Sequence, residues 1–270
     1  MLSYRELTSG FRNLGLDPGR PVLVHSSLRA FGDLRGRAAV LLGALTSVFP
    51  RVMAPTHTYA TMVIPEEGPD HNGMVYGTGQ ALNALAEIYR PDMPADRMMG
   101  VLAELLRNHP LAKRSMHPIL SLAGIEVDEI LAARTIKDPV APLHDLYEAE
   151  GYVLLMGVGH SVNTTLHFAE KLAGRRTFVR WALTPDGTVE CPGYPGCSMG
   201  FDKAAPYLAD ITRSVQIGTA LVRALPVREM VITVATLVRE DPLALLCDDL
   251  ACERCAAVRE GRREVGGQEI

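Results

Sequence analysis

The residues best suited to chemistry lie in one run, Gly157-Val158-Gly159-His160-Ser161-Val162-Asn163-Thr164-Thr165-Leu166-His167-Phe168-Ala169-Glu170. The apolar stretch Tyr152 to Met156 reads as a buried strand, the Gly-x-Gly as a turn, and Asn163 as the N-cap of a following helix. At roughly 3.6 residues per turn, Asn163, His167 and Glu170 share one helical face. An imidazole titrates near neutrality, and a carboxylate within reach fixes its tautomer and stabilises the imidazolium, so the pair suits general base catalysis. The spacing is equally compatible with a partly buried helix histidine beside a solvated acid. The turn lacks the third glycine of a dinucleotide-binding fingerprint, and no strand after the helix ends in a ribose-binding acid.

Further groups sit where strands should end. His25-Ser26-Ser27-Leu28-Arg29 follows an apolar run and offers hydroxyls, backbone N–H groups and a guanidinium for an anion, or simply a polar strand exit. In Arg114-Ser115-Met116-His117-Pro118, the proline forces His117 out of helical geometry and fixes the imidazole ahead of a strand. Between Tyr59 and Asp70, the acids Glu66, Glu67 and Asp70 read either as a solvated loop or as a rim that attracts cations. Cys247-x4-Cys252-x2-Cys255, with Cys191 and Cys197 upstream, offers thiolates for zinc, but a paired CxxC signature is absent. We therefore expect no metal.

These groups need elements to position them. Ser3 and Glu6 have capping-box spacing for a helix ending near Gly15. Strand patterns follow at Pro21 to Val24, Val52 to Ala54, Ile119 to Ala123, Tyr152 to Met156, Phe178 to Leu183 and Met230 to Val238. Helices are expected over Ala38 to Phe49, Met98 to Asn108, Ile125 to Ala133 and Leu143 to Glu150. This alternation predicts an α/β protein with a central sheet covered on both faces. Residues 56–96, rich in Gly, Pro and polar groups, read as a long loop excursion with one helix from Gln80 to Tyr89. No linker composition interrupts the chain, so one domain over residues 1–270 is expected.

Composition narrows the function. With 270 residues, 47% hydrophobic and 21% charged, the chain has the profile of a globular protein and not of a disordered one. A net charge of -4 argues against a phosphate-neutralising nucleic-acid partner. Apolar runs fall short of the roughly 20 residues a membrane span needs. The N-terminus MLSYRELTSGF shows no secretory pattern, which makes a cytoplasmic address the expectation, with five reduced cysteines.

Taken in order, HSSL from His25, Met99-Gly100, RSMHP from Arg114, APLHDLYE from Ala141, LLMGVGHSVNTTLHFAE from Leu154, GCSMGFD from Gly196 and the cysteine-containing tail resemble the aminoglycoside 3-N-acetyltransferase family. That family is unrelated in fold to the GNAT acetyltransferases, and the resemblance spans nearly the whole chain. It implies a three-layer α/β/α fold with a central mixed sheet and acetyl-CoA as cosubstrate. The implied acceptor is a primary amine of an aminoglycoside or similar cationic natural product. By the same resemblance His167 is the base, and Glu170 its orienting or substrate-binding partner. Ser26, Ser27, Leu28 and Arg29 form the donor loop, and His117, Pro118 and Ser121 a second wall around pantetheine and phosphates. Tyr59, Glu66, Glu67, Asp70 and Asn163 belong to the acceptor pocket, walled in part by residues 56–96. A homodimer is left open. Two departures stand out: Ser161 where family members often have an acid, and Ala141 where they often have Ser. Glu190 and Asp202 are candidates to supply the missing charge.

Transfer is expected to be direct, since a deprotonated amine is already a competent nucleophile. Two other readings carry different tests. A metal-dependent hydrolase would use His25, His57, His117 and His167, although no short ligand pair such as HExxH is present. A protein of the same fold that binds CoA or a small molecule without turnover is the other.

Overall fold

The computed structural model describes residues 1–266. Ser3 opens the first helix, α1 (Tyr4–Arg12), through the expected capping box: Ser3 Oγ accepts from Glu6 N, and Glu6 Oε2 accepts from Ser3 N at 2.8 Å. The elements that follow are β1 (Val22–Ser26), α2 (Arg37–Val48), β2 (Val52–Pro55), β3 (Met62–Val63), α3 (Gln80–Asn83), α4 (Gly100–Arg107), β4 (Lys113–Arg114) and β5 (Leu122–Ile125). Next come α5 (Asp128–Ala132), α6 (Ala141–Glu148), β6 (Tyr152–Met156), α7 (Thr165–Leu172), β7 (Phe178–Thr184) and β8 (Gly187–Tyr194). The chain continues through β9 (Arg213–Ile217), β10 (Ala220–Pro226), α8 (Val227–Glu240) and α9 (Glu253–Gly266).

Seven strands form one mixed sheet in the order β4-β5-β2-β1-β6-β10-β9. Only β2, β1 and β6 run parallel, with β1 paired to both neighbours, and the outer pairings are antiparallel. Alternate residues of β1 serve opposite cores. Val22 and Val24 pack with Leu7 and Phe11 of α1, Leu41 and Leu45 of α2 and Leu106 of α4. Leu23 packs with helices α5 to α8, through residues such as Leu131, Leu146, Leu166 and Val234. Helices thus cover both faces, giving the expected three layers with a mixed sheet.

Three differences from the sequence reading have physical causes. Met230 to Val238, read as a strand for its β-branched residues, lies within α8. Its buried positions are Val227, Met230, Val231, Val234, Ala235 and Val238, a three-and-four spacing that makes a helical stripe, and burial of that stripe overrides local β preference. In residues 56–96 the helix expected over Gln80 to Tyr89 is shortened to α3 (Gln80–Asn83), a 3-10 turn forms at Tyr59–Thr61, and Met62–Val63 pairs with β7 to build a separate antiparallel sheet, β3-β7-β8. That sheet carries its own core of Ile119, Phe178, Ala182 and Cys191. The strand and helix expected at Ile119 to Ala133 start later, at Leu122 and Asp128. Among the described residues no helix is long and apolar enough to cross a membrane.

Candidate active site

The parallel strands β1, β2 and β6 deliver their C-terminal ends to one edge of the sheet, and β1 is where neighbouring connections diverge to either side. Open α/β sheets bind ligands at such a place. A cavity of about 470 Å³ lies there, lined by His25 and Ser26 from the end of β1, His57 and Tyr59 beyond β2, and Ser161, Thr164 and His167 beyond β6. Gly157 makes the exit from β6 possible. Its φ is +68°, and a Cβ there would sit 2.1 Å from that of Ala30, so no other residue fits the turn without displacement.

On the α7 wall, His167 Nδ1 lies 2.9 Å from Glu170 Oε2. The other carboxylate oxygen, Oε1, takes a hydrogen bond from Arg175 Nη1, whose guanidinium also donates to Pro242 O at 2.9 Å and Ala244 O at 2.7 Å. The carboxylate is thereby committed as an acceptor, so Nδ1 of the imidazole carries the proton and donates it. This leaves Nε2 with its lone pair for the cavity. Side-chain exposures of 10% for His167 and 6% for Glu170 keep the pair from being loosened by water. The imidazole lies over the Phe201 ring, centroids 4.7 Å apart, which fixes its tilt. Arg175 went unnoticed in the sequence because it lies beyond the helix end, after Gly174 with φ +85°.

The facing wall is different. His25 is buried and its pKa is lowered to about 3 by that burial. Its Nε2 lies 3.5 Å from Thr164 Oγ1. His57 is lowered well below its ordinary range, first by burial and then by the charges of Arg134 and the neighbouring histidines. Its Nδ1 meets Tyr59 OH at 2.9 Å. Arg134, buried, is lowered to about 9 by its desolvation. Its Nε and Nη1 have no hydrogen-bond partner, and His117 Nε2 is orphaned in the same way. His117 Nδ1 accepts from both Ile119 N and Leu120 N, so its proton sits on that orphaned Nε2. Sequence reading passed over Arg134, since a lone arginine after a short helix carries no local signal.

The model of one protein family, described as aminoglycoside 3-N-acetyltransferase, matches residues 23–239. The chain belongs to the aminoglycoside 3-N-acetyltransferase family. A curated relative, aminoglycoside N(3)-acetyltransferase IV of Salmonella sp, is 29% identical over 253 residues, 89% of each chain. The SPbeta prophage-derived aminoglycoside N(3')-acetyltransferase-like protein YokD of Bacillus subtilis is 32% identical over 180 residues, 62% of this chain and 64% of its own. Among solved structures, the apoenzyme of aminoglycoside acetyltransferase AAC(3)-IVa superposes with a TM-score of 0.74 at 28% identity, covering 96% of this chain and 97% of that one. A mutant of that enzyme was solved in complex with a gentamicin, at TM-score 0.74, 27% identity and the same coverage.

The remaining expected site residues divide by where this family fold puts them. Ser26 and Tyr59 are on the cavity wall. Ser27 N donates to Met156 O, Leu28 packs into the α1–α2 core, and Arg29 is exposed on the short 3-10 turn Leu28–Phe31. His117, Pro118 and Ser121 are corrected from cofactor wall to buried framework. Pro118 O accepts from Thr58 and Thr61 hydroxyls, and Ser121 Oγ donates to Thr56 O and accepts from Arg114 Nε, while the cavity surface nearby belongs to Leu120 and Leu122. Asn163 borders the cavity, but both ends of its amide are used inside the protein. Oδ1 caps Thr165 N at 3.2 Å, and Nδ2 meets His160 Nδ1 and Met230 Sδ. It precedes α7, whose N-cap is Thr164 and not the expected Asn163, and it meets the cavity from the preceding turn rather than from the helix's polar face.

Glu66, Glu67 and Asp70 are exposed and absent from the cavity wall, so residues 56–96 serve the pocket through His57, Tyr59 and Met62 instead. Neither candidate for the acid missing at Ser161 lines the cavity. Glu190 is exposed on β8, and Asp202 is occupied, its Oδ1 accepting from His160 N at 2.6 Å. The four histidines of the hydrolase reading do not form a metal set. Among the described residues the one group of three or more His, Cys, Asp or Glu with convergent ligand atoms is cysteine alone.

Proposed function

We propose that this chain transfers the acetyl group of acetyl-CoA to an amine of an aminoglycoside or aminoglycoside-like natural product. The His167–Glu170–Arg175 relay at the cavity carries the reading. The neutral amine attacks the acetyl carbonyl, His167 Nε2 takes the proton, the C–N bond forms, and the C–S bond breaks as CoA leaves and is reprotonated by the imidazolium. Glu170, held by Arg175, supports the positive ring during that interval. The oxyanion is met by backbone N–H groups at the start of the turn Leu28–Phe31, which no side chain caps. Ser26 and Arg29 remain the donor-loop residues of this reading. We place the reaction in the cytoplasm, where reduced thiols and acetyl-CoA coexist.

A second observation narrows the acceptor. Arg134 and Arg254 line the cavity with three histidines, and no carboxylate of the described residues does. A densely charged polyamine gains nothing from such a wall, whereas an acceptor with one reactive amine and oxygen-rich or anionic substituents is complementary to the positive charge of Arg134 and Arg254. The test is thiol detection of released CoA with acetyl-CoA and an amine panel graded from polyamine aminoglycosides to mono-amino sugars and amino acids. Thiol release is expected, greatest for the less cationic members. CoA binding without release for any amine would make the chain a binding protein, and a preference for the most cationic amines would overturn the narrower reading.

A further inference from the structure

Away from the cavity's imidazoles lies a second cluster that the transfer reaction does not use. Cys197, Cys247, Cys252 and Cys255 bring their Sγ atoms within 4.8 Å of one another. Cys247 and Cys255 are 3.4 Å apart at sulfur. Tetrahedral zinc with Zn–S near 2.3 Å sets its sulfurs about 3.8 Å apart, so the four thiols already have the size of that tetrahedron. The fifth cysteine, Cys191, is buried in the core of the β3-β7-β8 sheet and takes no part. We propose that Cys197, Cys247, Cys252 and Cys255 bind one zinc ion as four thiolates.

The surroundings fit a net charge of 2 − 4 = −2. Lys203 Nζ donates to Leu246 O at 2.9 Å, Arg259 to Cys247 O at 2.7 Å, and Arg254 Nη1 to Gly196 O at 2.9 Å, so three cations brace the ligand-bearing loops. Met199 N–H points at Cys197 Sγ at 3.5 Å, the kind of donor that holds a thiolate in place. Binding releases the four thiol protons, and four thiolates leave no open position, so the ion is structural rather than catalytic. What it holds together is informative. Cys197 lies in the Tyr194 to Met199 segment of the cavity wall, and Gly196 passes beside Glu170, an ideal Cβ there lying 3.8 Å from Oε2. Cys252 and Cys255 flank Arg254, which reaches the same cavity. The ion thus ties α9 to the pocket. The sequence offered these cysteines without a paired CxxC signature, because Cys197 lies fifty residues before Cys247 and only the fold separates it from Cys191 as the fourth ligand.

Protein purified under reducing conditions from zinc-replete cells is expected to carry one zinc per chain by elemental mass spectrometry and to retain it through EDTA dialysis. Cobalt(II) added to the reduced apoprotein should give the thiolate charge-transfer and intense d–d bands of a tetrahedral four-sulfur site. Cys252→Ser, chosen because Cys252 is only half-buried, should weaken zinc retention about tenfold or more, the loss that even outer-sphere changes bring. Cys191→Ser should leave zinc content unchanged. Failure of the reduced wild-type protein to bind either ion would overturn the proposal without reference to any variant. So would cobalt spectra lacking charge transfer, or equal zinc retention in Cys252→Ser. Acetyl transfer is measured separately, so its absence would bear on the reaction and not on the metal.

Discussion

The two walls of the cavity use the same side chain to opposite ends. On α7, His167 is backed by a carboxylate that is itself fixed by Arg175, so a proton gained at Nε2 is immediately stabilised. Elsewhere around the cavity His25 and His57, and behind its lining the buried His117, have no carboxylate partner among the described residues, and burial keeps all three neutral, helped at His57 and His117 by the charge of Arg134. A general base needs a stabilised conjugate acid, whereas a neutral imidazole serves as a donor, an acceptor or packing. Charge partners therefore separate the roles that residue type and location leave equal.

The sharpest way to break this contrast is to remove one imidazole from each wall. His167→Ala should lower kcat by about 10² to 10⁴ with CoA affinity intact by calorimetry. His57→Ala should shift KM more than kcat, and equal losses in kcat would erase the distinction between the walls. Second is the response to acid. His25 and His117 are both depressed to about 3 in the folded protein. Their contribution to stability is whole above the unfolded value near 6.5 and is lost as pH falls from there towards 3, at up to about 1.4 kcal/mol per pH unit for each. Chemical denaturation at stepped pH should show that fall, and His117→Asn should flatten it; an unaltered slope would mean that these imidazoles are not buried neutral.

Third, Arg134→Met removes a buried guanidinium with two orphaned nitrogens. The ligand-free protein is expected to be neutral to about 4 kcal/mol more stable, while KM for the acceptor rises. A lower melting temperature would show that Arg134 braces the fold instead. The smallest effect belongs to the exposed acids. Replacing Glu66, Glu67 and Asp70 together by their amides should change stability by no more than about 0.5 kcal/mol and leave KM for a cationic amine alone. A rise in KM confined to low salt would return the loop to a steering role.

Much of the layered fold was legible. The capping box at Ser3, the uniformly apolar β6 and the alternation around β1 are local signals that tertiary packing reinforces. Where local preference and packing disagreed, packing prevailed. The β-branched run from Met230 became α8, and the loop beyond Pro55 lent Met62 and Val63 to a second sheet whose other strands come far later in the chain. The site was half legible. His167 and Glu170 were visible because helical spacing is a local rule. Arg175, Arg134 and the sorting of four histidines depend on contacts between segments that no spacing connects.

By itself the sequence determined the family, the three-layer architecture and the histidine–carboxylate pair, because motif order, hydrophobic period and i,i+3 spacing are all written along the chain. Tertiary structure alone decided which imidazole has a charged relay behind it, that the loop acids stand clear of the cavity, and that Cys197 meets the tail cysteines. Those outcomes depend on distances and on desolvation, and both come into being only when remote segments fold against one another.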